Sequence, residues 1–413
     1  MKVILSNYRY FISGGPERYL FSIKEILEKE GHNVLPFSVR SRHNVPSEWE
    51  KYFLTPISAK DETYFENYER KPKTMLKVLE RVIYSPEGFI KARRYAKVVR
   101  PDIVYSLHFL NKMSPSVIDG FKSYGLPVVV RLSDFGLICP QAHLFSNEKV
   151  CEECISGSLW PAVKNKCVKN STTGSLVKYF AWNLHRLMGS ISRIDSFVSP
   201  SQFTIRKYEE AGFPVDKLHY IPTFIETKGI PFKDTSNGYI IFFGRLVKEK
   251  GLEVLLEAYD NITGKKPRLI IIGRQDPAVY ADTLIKRYSS NVEFLDFMPK
   301  EQIMSIIQGA LFAVIPSNYY DNLPNTLLES FACGKAVIAS DHGCFHEFVA
   351  DKGTGILFAP GNAEDLRCKL EWAIENPDAM REMGKRAREV VENEHNPQLH
   401  YQKLLDIFSS LIH

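Results

Sequence analysis

The chain has 413 residues, of which 44% are apolar and 24% charged, and its formal net charge is +5. This length is enough for two ordinary α/β domains, and the composition is that of a globular protein rather than a disordered or fibrous one. The longest apolar runs, at 239–243 and 269–272, have the length of strands. They fall far short of the roughly 20 residues that a membrane-spanning helix needs.

The N-terminus and the basic residues bear on location. Met1 leads directly into a strand pattern and lacks the architecture of a signal peptide, so we expect a cytoplasmic protein. Basic residues concentrate in residues 71–100, interleaved with aromatic ones. This pattern is typical of a helix that contacts the inner face of an anionic membrane, or a lipid phosphate, and more commonly of a solvated surface helix. No nucleic-acid-binding motif accompanies the charge.

Two series of alternating strand and helix patterns follow one another along the chain. Residues 228–238, which are polar and contain Pro and Gly, separate them and predict a linker. Because strands that alternate with helices form parallel sheets with right-handed crossovers, we expect two α/β domains with a cleft between the carboxyl ends of their strands. In the first series, a turn at Gly14-Gly15 precedes a helix from Pro16 to about Lys29. The predicted strands are 3–6, 33–37, 102–106, 127–132, 196–200 and 219–221 in the first series, and 239–243, 269–272, 292–295, 312–315, 336–339 and 356–358 in the second.

Four of the seven cysteines lie close together in the first half of the chain. They are Cys139, Cys151, Cys154 and Cys167. Because a cytosolic setting disfavours disulfides and four thiolates suit tetrahedral zinc, a structural zinc site is one interpretation, with His143 as a substitute ligand. Free or redox-active thiols are the alternative, since the spacing differs from that of a zinc ribbon. We expect residues of about 135–170 to form an insertion near the cleft.

Positive charge follows the predicted strand 239–243. Gly244, at the end of that strand, allows a ligand to approach the backbone closely. Arg245 and Lys250 follow in the same loop and offer the positive charge that a diphosphate needs. By itself this signal is weak, because Arg and Lys on surface loops are usually solvated.

The most informative segment, Tyr320–Gly334, follows another predicted strand. Its residues predict a short helix that Asn322 caps and that has Pro324 in its first turn. Asp321 and Glu329 place carboxylates before and within that helix. A helix N-terminus at the carboxyl end of a parallel strand is where α/β proteins bind anionic ligands. The segment therefore predicts a binding site for a sugar nucleotide.

These two segments together resemble one known family. Gly244-Arg245…Lys250-Gly251 and Asn322–Gly334 are similar to motifs of the family-four retaining glycosyltransferases, also called glycosyl transferases group 1. Further similar segments are Gly14–Arg18, Pro101–Val104, Ser199–Ser201 and Gly343–Leu357, so that the resemblance covers nearly the full length.

The resemblance implies the GT-B fold, an α/β architecture in which two Rossmann-like parallel-sheet domains face each other across a cleft. It implies an acceptor-side domain at 1–225 and a domain that binds the nucleotide-sugar donor at 226–395. The last segment, 396–413, would be a helix that returns to the first domain.

By the same resemblance, the donor site lies in the second domain. Arg245 and Lys250 would bind the donor diphosphate, and Glu329 would accept hydrogen bonds from the ribose hydroxyls. The amides of Asn325 and Thr326 would hold a phosphate at the start of the helix.

Two more residues complete the implied donor site. Asp321 would reach hydroxyls of the donor sugar, although the family more often has Glu at this position. The alternative is that Asp321 only caps the following turn. Gly15 would contribute from the glycine loop of the first domain.

Two first-domain residues are candidates for chemistry at the acceptor. Relatives often have His-Asp where this chain has Ser133-Asp134, so a role for that histidine has no counterpart here. Asp134 remains a candidate for orienting the acceptor hydroxyl. His108, just after the predicted strand 102–106, is the other, although a lone histidine after a strand is often only a structural hydrogen-bonding residue.

We therefore expect a retaining hexosyltransferase that uses a nucleotide-diphosphate sugar and acts on a glycan or polyprenyl-diphosphate-linked acceptor in surface polysaccharide synthesis. No Asp-x-Asp triplet occurs, so the motifs require no metal cofactor for catalysis. The alternative is a catalytically silent sugar-nucleotide-binding or scaffold subunit of a glycan-assembly complex, which Ser133 leaves open. A dinucleotide-dependent oxidoreductase is disfavoured, because Gly14-Gly15 lacks the Gly-x-Gly-x-x-Gly spacing.

Overall fold

A computed structural model of the protein describes most of the chain. The described residues are 1–58, 68, 71–233, 236–273, 283–284, 287–288, 291–296, 298–350 and 353–412. Residues 234 and 235 of the predicted linker, and residue 413 of the predicted final segment, lie outside them.

The first half of the chain alternates strands with helices. Its strands are β1 (Lys2–Ser6), β2 (Asn33–Phe37), β3 (Ile103–Ser106), β4 (Val128–Arg131), β5 (Phe145–Ser146), β6 (Lys149–Val150), β7 (Ser196–Ser199) and β8 (Leu218–Tyr220). Its helices are α1 (Gly15–Lys29), α2 (Pro72–Ile83), α3 (Pro86–Val99), α4 (Ser116–Lys122), α5 (Trp160–Lys164), α6 (Thr172–Met188) and α7 (Gln202–Glu210).

The second half repeats the alternation. Its strands are β9 (Tyr239–Phe243), β10 (Arg268–Ile272), β11 (Val292–Leu295), β12 (Ala310–Ile315), β13 (Val337–Ser340) and β14 (Gly355–Phe358). Its helices are α8 (Leu252–Asp260), α9 (Lys300–Gly309), α10 (Asn325–Ala332), α11 (Ala363–Glu375), α12 (Pro377–Glu394) and α13 (Pro397–Leu411).

The described strands form two separate parallel sheets, which confirms the predicted fold class. The first has the order β2-β1-β3-β4-β7-β8. The second has the order β11-β10-β9-β12-β13-β14, which is the order of dinucleotide-binding sheets. Each order reverses once, between β1 and β3 in the first sheet and between β9 and β12 in the second. Open parallel sheets bind ligands at such reversals, outside the carboxyl ends of the strands.

The interior strands are buried along their whole length. Every residue of β3, β4 and β9 is buried, because helices cover both faces of each sheet. This burial explains why these strands appear in the sequence as short continuous apolar runs rather than as alternating patterns.

The predicted strand positions agree with the structure to within one or two residues, but two local features differ. The antiparallel hairpin of β5 and β6 was not predicted. The prediction that Asn322 caps the helix at 325–332 is wrong, because Pro324 occupies the N-cap position. The Asn322 amide instead donates a hydrogen bond to the backbone oxygen of Leu132 in the first domain.

The last helix, α13, lies against the first domain although it follows the second in sequence. Its Leu404 and Phe408 are buried in the same apolar cluster as residues of β1 and β3, and the Phe408 ring lies edge-on to Tyr105 with centroids 5.7 Å apart. Its His400 Nε2 lies 2.8 Å from the hydroxyl of Tyr19 in α1. The chain therefore closes back on its first domain, and α13 links the two halves.

In the described parts of the chain, no helix combines the length and the apolar character needed to cross a membrane.

This packing makes Phe408 a test of the link between the halves. We expect Phe408→Ala to lower the free energy of unfolding by about 3–5 kcal/mol, because it removes a fully buried ring and leaves a cavity between α13 and the first sheet. Urea denaturation followed by circular dichroism measures the change. Ser409→Ala, at the adjacent exposed position, is the control. Equal midpoints for the two variants would contradict this account of α13.

Candidate functional site

A buried ion pair lies where the strand order of the second sheet reverses. Lys250 follows β9 and Asp321 follows β12, and the Lys250 Nζ lies 2.7 and 2.9 Å from the two carboxylate oxygens of Asp321. The Ser317 hydroxyl donates to the same carboxylate. The two neighbouring strand ends thus present one cation and one anion to the cleft.

The electrostatics of this pair keep both groups charged. Burial by itself raises the pKa of Asp321, but the Lys250 ammonium outweighs it and leaves the pKa below its ordinary value. Burial by itself lowers the pKa of Lys250, and the Asp321 carboxylate reverses this shift, so that the pKa is raised. Burial together with the Asp321 charge raises the pKa of the neighbouring Tyr319 to about 12. The site therefore holds a fixed dipole at neutral pH.

The backbone at Gly251 brings the pair together. Gly251 has φ of 69°, and a Cβ there would lie 1.7 Å from the carbonyl oxygen of Pro316, just after β12. Only glycine allows the loop after β9 to come this close to the loop after β12. The close approach places Lys250, the preceding residue, next to Asp321.

The helix α10 and the first-domain helix α1 form a second part of the site. The Arg18 Nη1 of α1 lies 3.4 Å from the Glu329 Oε1 of α10. Gly15 packs against Asn325 so closely that a Cβ at residue 15 would lie 3.1 Å from the Asn325 amide nitrogen. A cavity of about 280 Å³ lies between these elements, and Lys300 is also part of its wall. The predicted donor residues Asn325 and Glu329 therefore share one interdomain cavity.

The charge state of Glu329 depends on its burial. Burial raises its pKa above the ordinary value, and the Arg18 and Lys300 charges oppose that shift. The Arg18 and Lys300 charges offset only part of the effect of burial on Glu329. A buried carboxylate at a cavity wall is a good acceptor for the hydroxyl groups of a ligand, because few protein donors compete for it. The helix α10 begins at Asn325. The backbone N–H groups of its first turn, including those of Asn325 and Thr326, have no intrahelical partner.

The first-domain candidates form a third group, at the reversal of the first sheet. His108 follows β3 and Asp134 follows β4, and the His108 Nε2 lies 3.1 Å from the Asp134 Oδ2. The Gly136 backbone N–H donates to the other carboxylate oxygen at 2.7 Å. Both side chains line a cavity of about 270 Å³, with Lys112 and Ser133 also in its wall. His108 therefore lines the cavity. The sequence alone did not decide whether it does so.

The His108–Asp134 pair also shifts the pKa of each group. Burial lowers the pKa of His108, but the Asp134 carboxylate outweighs it and raises the value. Burial raises the pKa of Asp134, but His108 outweighs it and lowers the value. The Nδ1 of His108 is buried without a hydrogen-bond partner among the described residues. Among the described residues, Asp134 is therefore the only side chain that orients the His108 imidazole through a hydrogen bond.

Three residues for which the sequence predicted no role in the cleft contribute to it. The ring of His143 lies edge-on to Tyr319 at 5.4 Å, so His143 belongs beside the Lys250–Asp321 pair. Burial lowers its pKa, Asp134 opposes that shift, and Arg245 adds to it. The predicted use of His143 as a substitute ligand for the cysteines therefore has no support from its position. The residue is half-buried, and Arg245 itself is exposed.

Arg18 and Glu347 are the other two, and both join the domains. The Glu347 carboxylate of the second domain accepts hydrogen bonds from the backbone N–H groups of Gln202 at 3.1 Å and Phe203 at 3.0 Å, at the start of α7 in the first domain. A carboxylate at a helix N-terminus is favourable by charge and by hydrogen bonding. Both residues lie in segments that resemble the family, but pairings between distant segments leave no mark in a single sequence.

The cysteine cluster stands apart from the three groups. Cys139, Cys151, Cys154 and Cys167 are free and line one small cavity of about 10 Å³. Burial, followed by the neighbouring thiol of Cys139, raises the pKa of Cys154 to about 12. Among the residues that the structure describes, no group of three or more His, Cys, Asp or Glu side chains is arranged so that it could hold a metal ion. A structural zinc therefore remains a prediction.

Comparison with known proteins identifies the second domain. Residues 224–390 match the model of the family described as glycosyl transferases group 1. Over these residues the chain is similar to that family. The predicted resemblance is therefore confirmed in the part of the chain that carries the Lys250–Asp321 pair and Glu329.

Individual curated relatives are also glycosyltransferases. A putative colanic acid biosynthesis glycosyltransferase of Escherichia coli is 27% identical over 207 residues, which cover 48% of this chain and 50% of that protein. The chain spans about half the length of the curated relatives it matches.

Solved structures show the fold of the whole chain. The sucrose-phosphate synthase of Thermosynechococcus elongatus has a TM-score of 0.72 at 16% identity, covering 99% of this chain and 98% of that one. The Anabaena protein HepE, solved in complex with UDP-glucose, has a TM-score of 0.67 at 17% identity over the full length of both chains. The chain thus has the GT-B architecture.

The His108–Asp134 pair predicts a pH dependence of stability. Because the folded pKa of His108 is raised, its contribution is complete below the unfolded value of about 6.5 and is lost as the pH rises through the folded value. Because the folded pKa of Asp134 is lowered, its contribution is present above about 3.9 and is lost as the pH falls. We expect the difference in unfolding free energy between the wild type and His108→Gln to be largest between these values.

Urea denaturation at a series of pH values measures this difference. The exposed His43 supplies the control, as His43→Gln. A His108→Gln difference that stays constant from pH 5 to pH 9 would show that the pair does not titrate as described.

Proposed function

We propose that the protein is a retaining glycosyltransferase that moves a hexose from a nucleotide-diphosphate sugar to a glycan or a polyprenyl-diphosphate-linked acceptor in surface polysaccharide synthesis. The observation that carries the proposal is the buried Lys250–Asp321 pair at the reversal of the second sheet, beside the helix that bears Glu329. The name of the Escherichia coli relative and the UDP-glucose bound by HepE support the class of pathway and of donor.

Each side of the donor would meet a complementary group. Arg245 and Lys250 would neutralise the diphosphate, with the N-terminus of α10 adding to that field. Glu329 would accept hydrogen bonds from the ribose hydroxyls in the cavity next to Arg18. Asp321, which already binds Lys250, would hold the sugar hydroxyls while keeping the ammonium in place for the phosphate.

This arrangement favours a mechanism of positioning and electrostatics. When the bond between the anomeric carbon and the diphosphate breaks, negative charge develops on the departing oxygen, where Lys250 and Arg245 stabilise it. In a front-face transfer the acceptor hydroxyl enters on the same face, and the departing phosphate takes its proton. Asp134, held ionised by His108, would orient that hydroxyl from the first domain.

His143 is a further candidate at this point. It lies beside Tyr319, within electrostatic range of both Asp134 and Asp321. The chain has Ser133 where relatives often have a histidine, and His143 would supply an imidazole to the same cleft from the following loop.

Hydrolysis of a panel of UDP-, GDP- and ADP-sugars tests the proposal through the release of nucleotide. We expect slow release from one donor by the wild type and a loss of roughly 10²-fold or more in Glu329→Gln, because the buried carboxylate is replaced by a neutral amide at the ribose. Glu253→Gln, at an exposed position in α8, is the matched control.

The silent-subunit alternative makes a different prediction. It gives a thermal shift with one nucleotide sugar but no transfer to any acceptor in a screen with that donor. Transfer in such a screen, with the anomeric configuration retained in the product and a rate unchanged by a metal chelator, would support each finer part of the proposal. Inversion of configuration would exclude the retaining mechanism.

We also propose that the four clustered cysteines bind a structural zinc ion. The proposal is supported by their free state and by the single cavity that they share, and binding would need the thiols to close around the ion. Metal analysis should then find one zinc per chain in the wild type and less in Cys154→Ser. Cys368→Ser, at an exposed cysteine outside the cluster, should keep its zinc. A metal-free, fully folded wild type would exclude the site.

A further inference from the structure

The helix α2 is amphipathic, but it turns its apolar side outward. Leu76 is 69% exposed, and Met75, Leu79 and Ile83 are exposed along the same stripe. The opposite side buries polar groups, and Arg81, fully buried, pairs with Glu87 at 2.6 Å. An ordinary surface helix has the reverse arrangement, with its apolar stripe facing the core.

The neighbouring helix α6 shows the same inversion. Phe180 is 65% exposed and Leu187 is 86% exposed on its outer side. Its inner side buries Ser175, Lys178 and His185. The His185 Nε2 lies 2.6 Å from the backbone oxygen of Ile83, which joins α6 to the end of α2. The two helices pack together, and we call their exposed apolar side chains the α2–α6 face.

Aromatic side chains extend this face onto α5. Trp160 is 50% exposed, and its ring lies edge-on to Tyr179 at 5.5 Å. Tyr179 in turn contacts Phe180 at 5.6 Å. Aromatic side chains with an apolar body and a polar edge are enriched where protein meets the interface of a bilayer.

Most of the charged residues described around the α2–α6 face are basic, although Glu80 lies in α2 and Glu153 contacts the end of α5. No Asp or Glu occurs between Glu153 and Asp195, the stretch that contains α5 and α6. Exposed basic residues occur in or beside all three helices, and they are Lys71, Lys73, Lys164, Lys166 and Arg186. An apolar surface with a positive rim complements an anionic partner and not a cationic one.

We propose that the α2–α6 face rests on an anionic lipid bilayer, with Leu76, Phe180 and Leu187 inserted into the headgroup region. Inserted apolar side chains and a basic rim are the two contributions that bind a peripheral protein to such a surface. A second copy of this chain fits the face less well, because a two-fold pairing would set the same basic residues against each other. The face thus specifies the partner that the basic stretch 71–100 left open.

The inner side of α6 also contacts a residue that lines the cavity of His108 and Asp134. The Lys178 Nζ of α6 donates to the Asn111 Oδ1 at 2.6 Å, and Asn111 lines the cavity that contains His108 and Asp134. A bilayer under α2 and α6 would therefore bring a lipid-linked acceptor to that cavity. Only this last step depends on the proposed transferase function, since binding to lipid needs neither donor nor turnover.

Sedimentation with vesicles tests the proposal. We expect the full-length protein to bind vesicles of phosphatidylcholine with phosphatidylglycerol, and to bind phosphatidylcholine alone much more weakly. The double variant Phe180→Ser/Leu187→Ser should bind the mixed vesicles at least about tenfold more weakly, because two apolar side chains no longer leave water. Trp372→Ser, which removes an exposed aromatic side chain from the second domain, should bind like the wild type.

The controls separate this proposal from the others. Because Phe180 and Leu187 are exposed, the double variant should keep the wild-type melting temperature and the same rate of donor hydrolysis. Equal vesicle binding by the wild type and the double variant, or equal binding to both lipid compositions, would overturn the proposal. A wild-type dimer in solution that the double variant loses would overturn it as well, by assigning the face to a second copy. If the wild type bound lipid but hydrolysed no donor, only the proposed transferase function would be contradicted.

Discussion

The Lys250–Asp321 ion pair is the constraint on which the site depends. Two opposite charges are buried where the second sheet reverses its strand order, and each keeps the other ionised. Removing one partner would leave a buried, unpaired charge, which is far more costly than losing an exposed pair. Gly251 must remain glycine for the pair to form, since any side chain there collides with the backbone after β12. The ion pair is thus built into the packing of two strand ends.

Polar and apolar contacts hold the two domains together. Arg18 reaches Glu329 across the cleft, and Glu347 caps α7 of the opposite domain. The chain then returns through α13, whose apolar side is buried against β1 and β3. Because the cavity that contains Glu329 has walls from both domains, any change in their relative position changes the cavity.

The inverted helices α2 and α6 set a different constraint. Burying Arg81, Lys178 and His185 while exposing Leu76 and Phe180 does not stabilise an isolated protein in water. Such an arrangement is consistent with a surface that is completed by a partner outside the chain. Within the first domain, His108 and Asp134 line a cavity, while α2 and α6 carry the α2–α6 face.

The sequence alone determined the alternation of strands and helices, because buried strands produce short apolar runs whatever their neighbours are. The strands at 239–243 and 292–295 were predicted to the residue, and Arg245, Lys250, Asp321 and Glu329 were recognised from short local motifs. The tertiary structure decided which of these residues meet. It paired Lys250 with Asp321, drew Asn322 away from its helix to the first domain, and placed His143 in the cleft. Contacts between residues distant in sequence depend on how the sheets and domains pack, and one sequence records no such packing.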